Sequence, residues 1–171
     1  MSDDDVRVRS DERRRLLNEF EVERNQLIRN IETCRIRDID RPFIGDWSLK
    51  DIVGHVASWE AEYVAAIRDI RAGQPLPGHL LDERQHDHWN ADHVERKRLL
   101  NFWSVYEQLR GGRQRLVDEL EQVSDDDLTD ESQDYVRVVR AATDHDREHW
   151  HHIAAVLAGM AGVRKSTPTN E

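Results

Sequence analysis

An all-α four-helix bundle is predicted by three observations on this 171-residue chain. Four long stretches repeat apolar residues every three or four positions. Helix-start and loop signals separate them, and no strand-like alternation occurs anywhere. The first helix is predicted over residues 11–35, where Leu16, Leu17, Phe20, Leu27, Ile28, Ile31 and Cys34 form one stripe among Glu and Arg. Pro42 and Gly45 mark residues 36–46 as a loop. In DWSLKDI, Ser48 is placed to cap the second helix, Asp51 to return the bond, and Trp47 to pack on Ile52. That helix runs to residue 71, with Ile52, His55, Val56, Trp59, Tyr63, Ile67 and Ile70 facing inward. Gly54 beside His55 is expected to admit a neighbouring helix or a ligand.

Gly73, Pro75, Pro77 and Gly78 open a loop over residues 72–80, followed by a polar helical stretch over 82–98. The connection between the second and third long helices is therefore long and partly helical. Asn101 caps a third helix over 102–123, in which Gly111 and Gly112 mark a kink or a tight crossing. An acidic loop at 124–130 leads to the last helix, 131–161, closed by Gly162. The expected organisation is one bundle domain over 10–163, with mobile polar ends at 1–9 and 164–171.

Charge and composition narrow the function classes. The formal charge is −10, with arginines interleaved among acidic residues, so a nucleic-acid partner is not expected. No apolar run approaches the roughly 20 residues that cross a bilayer. The opening MSDDDVRVRSDERRR is charged throughout, unlike a secretory leader. The lone cysteine, Cys34, fits a reducing cytoplasm and reads as a core residue rather than a nucleophile.

The chemistry is concentrated in TDHDREHWHHIAAV, residues 143–156. His145 and His149 stand one helical turn apart, inside a stripe continued by Tyr135, Val138, Ala142, Ile153, Val156 and Met160. Buried imidazoles need partners or lose roughly 1 to 3 kcal/mol each. His55 adds a third from another helix, and three neutral imidazoles suit a divalent ion while leaving a position open for water or substrate. The competing reading is of core histidines bonded to carboxylates or carbonyls. The string from His145 to His149 also fits H-x-x-E-H, but too little chain follows to supply the distant carboxylate ligand of a protease. Glu148 is then a group that orients an imidazole, a general base, or a solvated carboxylate.

His151 is expected to face solvent and His152 to sit at the edge of the stripe. His79, His86, His88 and His93 are expected at the surface of the connection, with His88 and His93 the closest candidates for a role. Trp47 and Trp59 read as core, and Trp103 and Trp150 as boundary residues. Trp89 and Asn90 read as ordinary packing, with the mouth of a pocket as the alternative.

Three segments, GDWSLKDIVGHVASWE (45–60), HWNADHVERKRL (88–99) and HDREHWHHI (145–153), resemble the DinB/YfiT-like metalloenzyme superfamily, and within it the ClbS/DfsB-like branch. The resemblance spans nearly the whole chain in order. It implies a four-helix bundle holding a divalent metal, commonly zinc or nickel, on three histidines that fall here on His55, His145 and His149. Relatives of this kind include transferases and isomerases that use low-molecular-weight bacterial thiols, and hydrolases that open a reactive cyclopropane. The function implied is a cytoplasmic metal-dependent enzyme that activates a thiol or water against an electrophilic small molecule, in detoxification or stress. The alternative is a metal-stabilised protein that sequesters such a compound without turning it over. Association through helix faces into a homodimer is a further expectation.

Overall fold

The computed structural model describes residues 3–165. Residues 1–2 and 166–171, which fall in the two expected polar ends, lie outside the described residues, as does the side chain of Met160. Four long helices form the bundle: α1 (Asp3–Thr33), α2 (Leu49–Arg71), α5 (Phe102–Leu120) and α7 (Asp134–Lys165). Between them lie a ribbon of β1 (Pro42–Ile44) and β2 (Trp47–Ser48), and the short helices α3 (Gly78–Leu81), α4 (His86–Arg98) and α6 (Asp125–Thr129). α2 packs on α5 and α1 on α7, α2 meets α7 across the bundle, and α4 lies along α2. No helix among the described residues is long and apolar enough to cross a membrane.

Local signals explain most boundaries. Ser48 caps α2 by accepting from the Asp51 N–H, and the Asp51 carboxylate accepts from the Ser48 N–H. Asn101 caps α5 in the same manner through the Ser104 N–H. Four expectations need correcting. The segment read as a loop, 36–46, contains β1, which pairs antiparallel with β2 just beyond it through a turn at Gly45 with φ +56°; at two or three residues per strand, no alternation could have shown in the sequence. The acidic loop contains α6, capped by Ser124. α1 also begins at Asp3 rather than near residue 11, because its first turns dock on the α6 region. There Arg9 pairs with Asp126, and Arg13 reaches Asp125 at 3.0 Å and the Leu120 carbonyl at 2.9 Å. α7 likewise continues through Gly162.

Both tight approaches signalled by glycine are present. A Cβ on Gly54 would stand 2.9 Å from Lys97 Cβ, so α4 can lie against α2 only because that position is glycine. A Cβ on Gly112 would stand 2.8 Å from Glu60 Cγ; α5 carries Gly111 and Gly112 without interruption. The core forms two apolar clusters. One is built around Phe20, Trp59, Ile67, Leu116 and Leu120, the other around Leu27, Ile52, Val56, Leu109 and Ile153. Cys34 is half-buried against the second, and burial, then Asp38, pushes its thiol up to about 11, which leaves it inert at neutral pH.

Candidate metal centre

Two polar clusters interrupt this core. The first joins the three predicted imidazoles. Helical spacing stacks His145 and His149 on one face of α7, and α2 brings His55 opposite them. His145 Nε2 lies 2.9 Å from His55 Nε2 and 3.0 Å from His149 Nε2, and all three donors lie within 4.8 Å of one another. His55 and His149 are 5% and 9% exposed. Burial, then His149 and His86, holds the His55 ring down at about 3. Burial and His152 hold His149 at about 4, and burial with the other two rings holds His145 well below its ordinary value. All three are therefore neutral at pH 7.

A neutral imidazole carries one proton and one lone pair on its ring nitrogens, so Nε2 atoms that face only each other satisfy one another poorly. His145 Nε2, which meets both neighbours, has a single proton or a single lone pair to offer them. Zinc–nitrogen bonds of about 2.0–2.1 Å in tetrahedral array set ligand nitrogens about 3.3 Å apart. To share one ion, the pairs at 2.9 and 3.0 Å would open by a few tenths of an ångström, and His55 and His149, whose donors lie within 4.8 Å of each other, would close by at most about 1.5 Å. The residues fit a divalent cation in number, protonation and convergence. His55 Nδ1 is buried without a hydrogen-bond partner among the described residues; packing fixes this ring instead, with the Trp47 centroid 5.0 Å and the Trp59 centroid 6.5 Å away.

The three rings lie in the wall of a cavity of about 540 Å³. Trp47, Trp59, Tyr63, His86 and Asn90 also line it, and Asp144 and Glu148 stand at its edge. A second cavity of about 370 Å³, lined by Ile44, Asp46, Ile52 and His152, shares Trp47, Glu148 and His149 with the first. Glu148 is exposed and bonds to no imidazole, which argues against an orienting role for its carboxylate.

The connection between α2 and α5 builds the remaining wall. Arg98 clamps Asp51 through two bonds of 2.9 and 3.1 Å, Trp59 Nε1 donates to Asn90 Oδ1 at 2.8 Å, and His79 Nε2 lies 2.9 Å from Glu62 Oε2. Trp89 packs on Trp59 with centroids 4.4 Å apart, and His93 stacks on Trp89 at 3.7 Å. The expectations for this segment are thus corrected. His79, His86 and His93 are half-buried, and His86 reaches the cavity; His88 is exposed, and His93 serves packing. Asn90 takes the pocket reading, since it both lines the cavity and anchors Trp59. Trp103 is exposed at 67%, and Trp150 is half-buried with its N–H donated to Glu23.

The second polar cluster takes one charged residue from each long helix: Arg24, Glu60, Arg113 and Asp146, all at most 6% exposed. Arg24 donates to Glu60 at 2.6 Å and to Asp146 at 2.9 Å; Arg113 donates to Asp146 at 2.6 Å and sets Nε 2.9 Å from Glu60 Oε1. The Arg113 guanidinium also lies 3.5 Å above the Phe20 ring. Sequence reading missed this cluster although its signal was present, because each member occupies a core register. Arg24 stands between Phe20 and Leu27, Glu60 between Val56 and Tyr63, Arg113 between Leu109 and Leu116, and Asp146 between Ala142 and His149.

A protein-family model described as the DinB superfamily matches residues 19–156, a span that contains both clusters whole. No curated protein and no solved structure matches the chain.

Proposed function

The chain belongs to the DinB superfamily, and from that premise we propose that it is a cytoplasmic divalent-metal-dependent enzyme of the ClbS/DfsB-like kind, joining a thiol or water to an electrophilic small molecule. The observation that carries this reading is the convergence of His55, His145 and His149 in the wall of a cavity able to hold a small molecule. A bound zinc or nickel ion supplies the Lewis acidity that makes a nucleophile available at neutral pH.

The chain's own residues supply the rest. Trp47, Trp59 and Tyr63 restrict water in the cavity and present flat apolar walls to the electrophile. Glu148, at the edge shared by both cavities, accepts the proton that the thiol or water gives up. Tyr63, kept protonated by burial and then by Glu60, offers an O–H to the electron-withdrawing group of the acceptor. The balance is redox-neutral. The nucleophile's electron pair forms the new S–C or O–C bond, an activated π bond or strained ring bond breaks toward the electron-withdrawing group, and the proton held by Glu148 ends there. A role in detoxification or stress follows from such a substrate, and a homodimer through helix faces is part of the same proposal.

The test is turnover of slow acceptors, such as acrylamide, simple epoxides and activated cyclopropanes, by cysteamine or water with the zinc- or nickel-loaded protein. Product formation above background that disappears in His145→Ala supports the reading. Ligand uptake without product across the whole panel overturns it in favour of a sequestering protein.

A further inference from the structure

We infer that this site accepts neutral or cationic reactants and discriminates against anionic ones, so that a thiol used here carries no carboxylate. The inference rests on the reading of the three-histidine centre as the place of reaction and concerns which molecules reach it.

Both cavities that open on the centre are acidic at the edge, and among the described residues no Lys or Arg lines them. Asp144 and Glu148 face the first, and Asp46 and Glu148 the second. The nearby cations are all engaged. Arg147 lines neither cavity and is spread over Asp144, Glu19 and Glu23. Arg24 and Arg113, behind the imidazoles, are matched by Glu60 and Asp146.

The three histidines would hold a doubly charged ion in a cavity that Asp144 and Glu148 also line, and those two carboxylates would offset its charge before any reactant enters. One negative charge on the reacting sulfur can sit against the ion. A second anionic group on the same molecule has no guanidinium or ammonium to receive it and must lie beside Glu148 or the Asp at that edge. An ammonium finds those carboxylates and the faces of Trp47 and Trp59. Sites built to bind carboxylates place arginine in the wall, and no arginine among the described residues lines either cavity.

The test uses three small probe thiols with the zinc-loaded protein, followed by calorimetry: cysteamine (cationic), 2-mercaptoethanol (neutral) and mercaptoacetate (anionic). Cysteamine and 2-mercaptoethanol are expected to bind at least about tenfold more tightly than mercaptoacetate, the size set by one unit charge across a partly solvated gap. Glu148→Gln, an exposed position where folding is not at issue, should shrink that ratio to about threefold, which separates charge selection from differences in thiol acidity. Mercaptoacetate binding as tightly as the others, a ratio unmoved by Glu148→Gln, or no thiol binding to zinc-loaded protein overturns the inference and leaves the metal centre standing. Failure to take up zinc in the first titration removes the centre itself.

Discussion

The two polar clusters in the bundle interior answer the same problem in opposite ways. Arg24, Glu60, Arg113 and Asp146 carry two positive and two negative charges, and each guanidinium meets both carboxylates. That set cancels in charge within the chain, although Arg24 Nη1, Arg113 Nε and Nη1, Glu60 Oε1 and Asp146 Oδ1 are buried without a hydrogen-bond partner among the described residues. His55, His145 and His149 are neutral, face one another through nitrogens of the same kind, and lie in the wall of a cavity. Among the described residues their Nε2 atoms meet one another rather than a carboxylate or carbonyl. The clusters are neighbours, since Asp146 follows His145 directly, so the difference lies in composition rather than depth. A polar group balanced by the chain is structural, and one that converges without balance is prepared for something else.

Breaking the closed cluster should produce the largest effect. Arg113→Ala leaves Glu60 and Asp146 sharing one guanidinium in the core and is expected to lower stability by about 3–5 kcal/mol, read as a shift in the urea midpoint. Replacing all four charges together by Met and Leu of similar volume should cost far less, because no charge is left alone. Next in size is Gly112→Ala, whose new methyl would press on Glu60 Cγ at 2.8 Å; an overpacking loss of about 1–3 kcal/mol is expected in the same assay. Ser48→Ala, which removes the α2 cap at the edge of the site, should cost about 1 kcal/mol in thermal or urea unfolding.

The smallest effect is expected where an ordinary histidine site would show a large one. Protons and metal compete for the same lone pairs, and burial lowers the rings, to about 3 for His55 and about 4 for His149, which weakens the proton as a competitor. Zinc affinity should therefore stay level from about pH 8 to about pH 5.5, whereas three unperturbed imidazoles would lose affinity steeply below their ordinary value near 6.5. A steep fall between pH 7 and 6 would show that these rings are hydrated and exposed.

The fold and the three imidazoles were legible because both depend on helical periodicity, which a single chain displays openly. Ser48 with Asp51, and Asn101, were readable for the same reason, since a cap is a local arrangement. What escaped depends on partners far apart in the chain. The charge-paired cluster needs four helices at once, and an Arg at a core register looks like an error until Glu60 or Asp146 is seen beside it. His86 and Asn90 lie on a polar segment with no dominant apolar face, so only the docking of Trp89 on Trp59 and of Arg98 on Asp51 reveals which side turns inward.

The most direct measurement is calorimetric titration of the metal-free protein with zinc and with nickel, beside His145→Ala. One ion per chain is expected at micromolar affinity or better. The variant should bind at least about a hundredfold more weakly, beyond the ten- to hundredfold loss that follows removal of an outer hydrogen-bond partner. No uptake of either metal, or uptake unchanged in the variant, would contradict a shared ion on His55, His145 and His149.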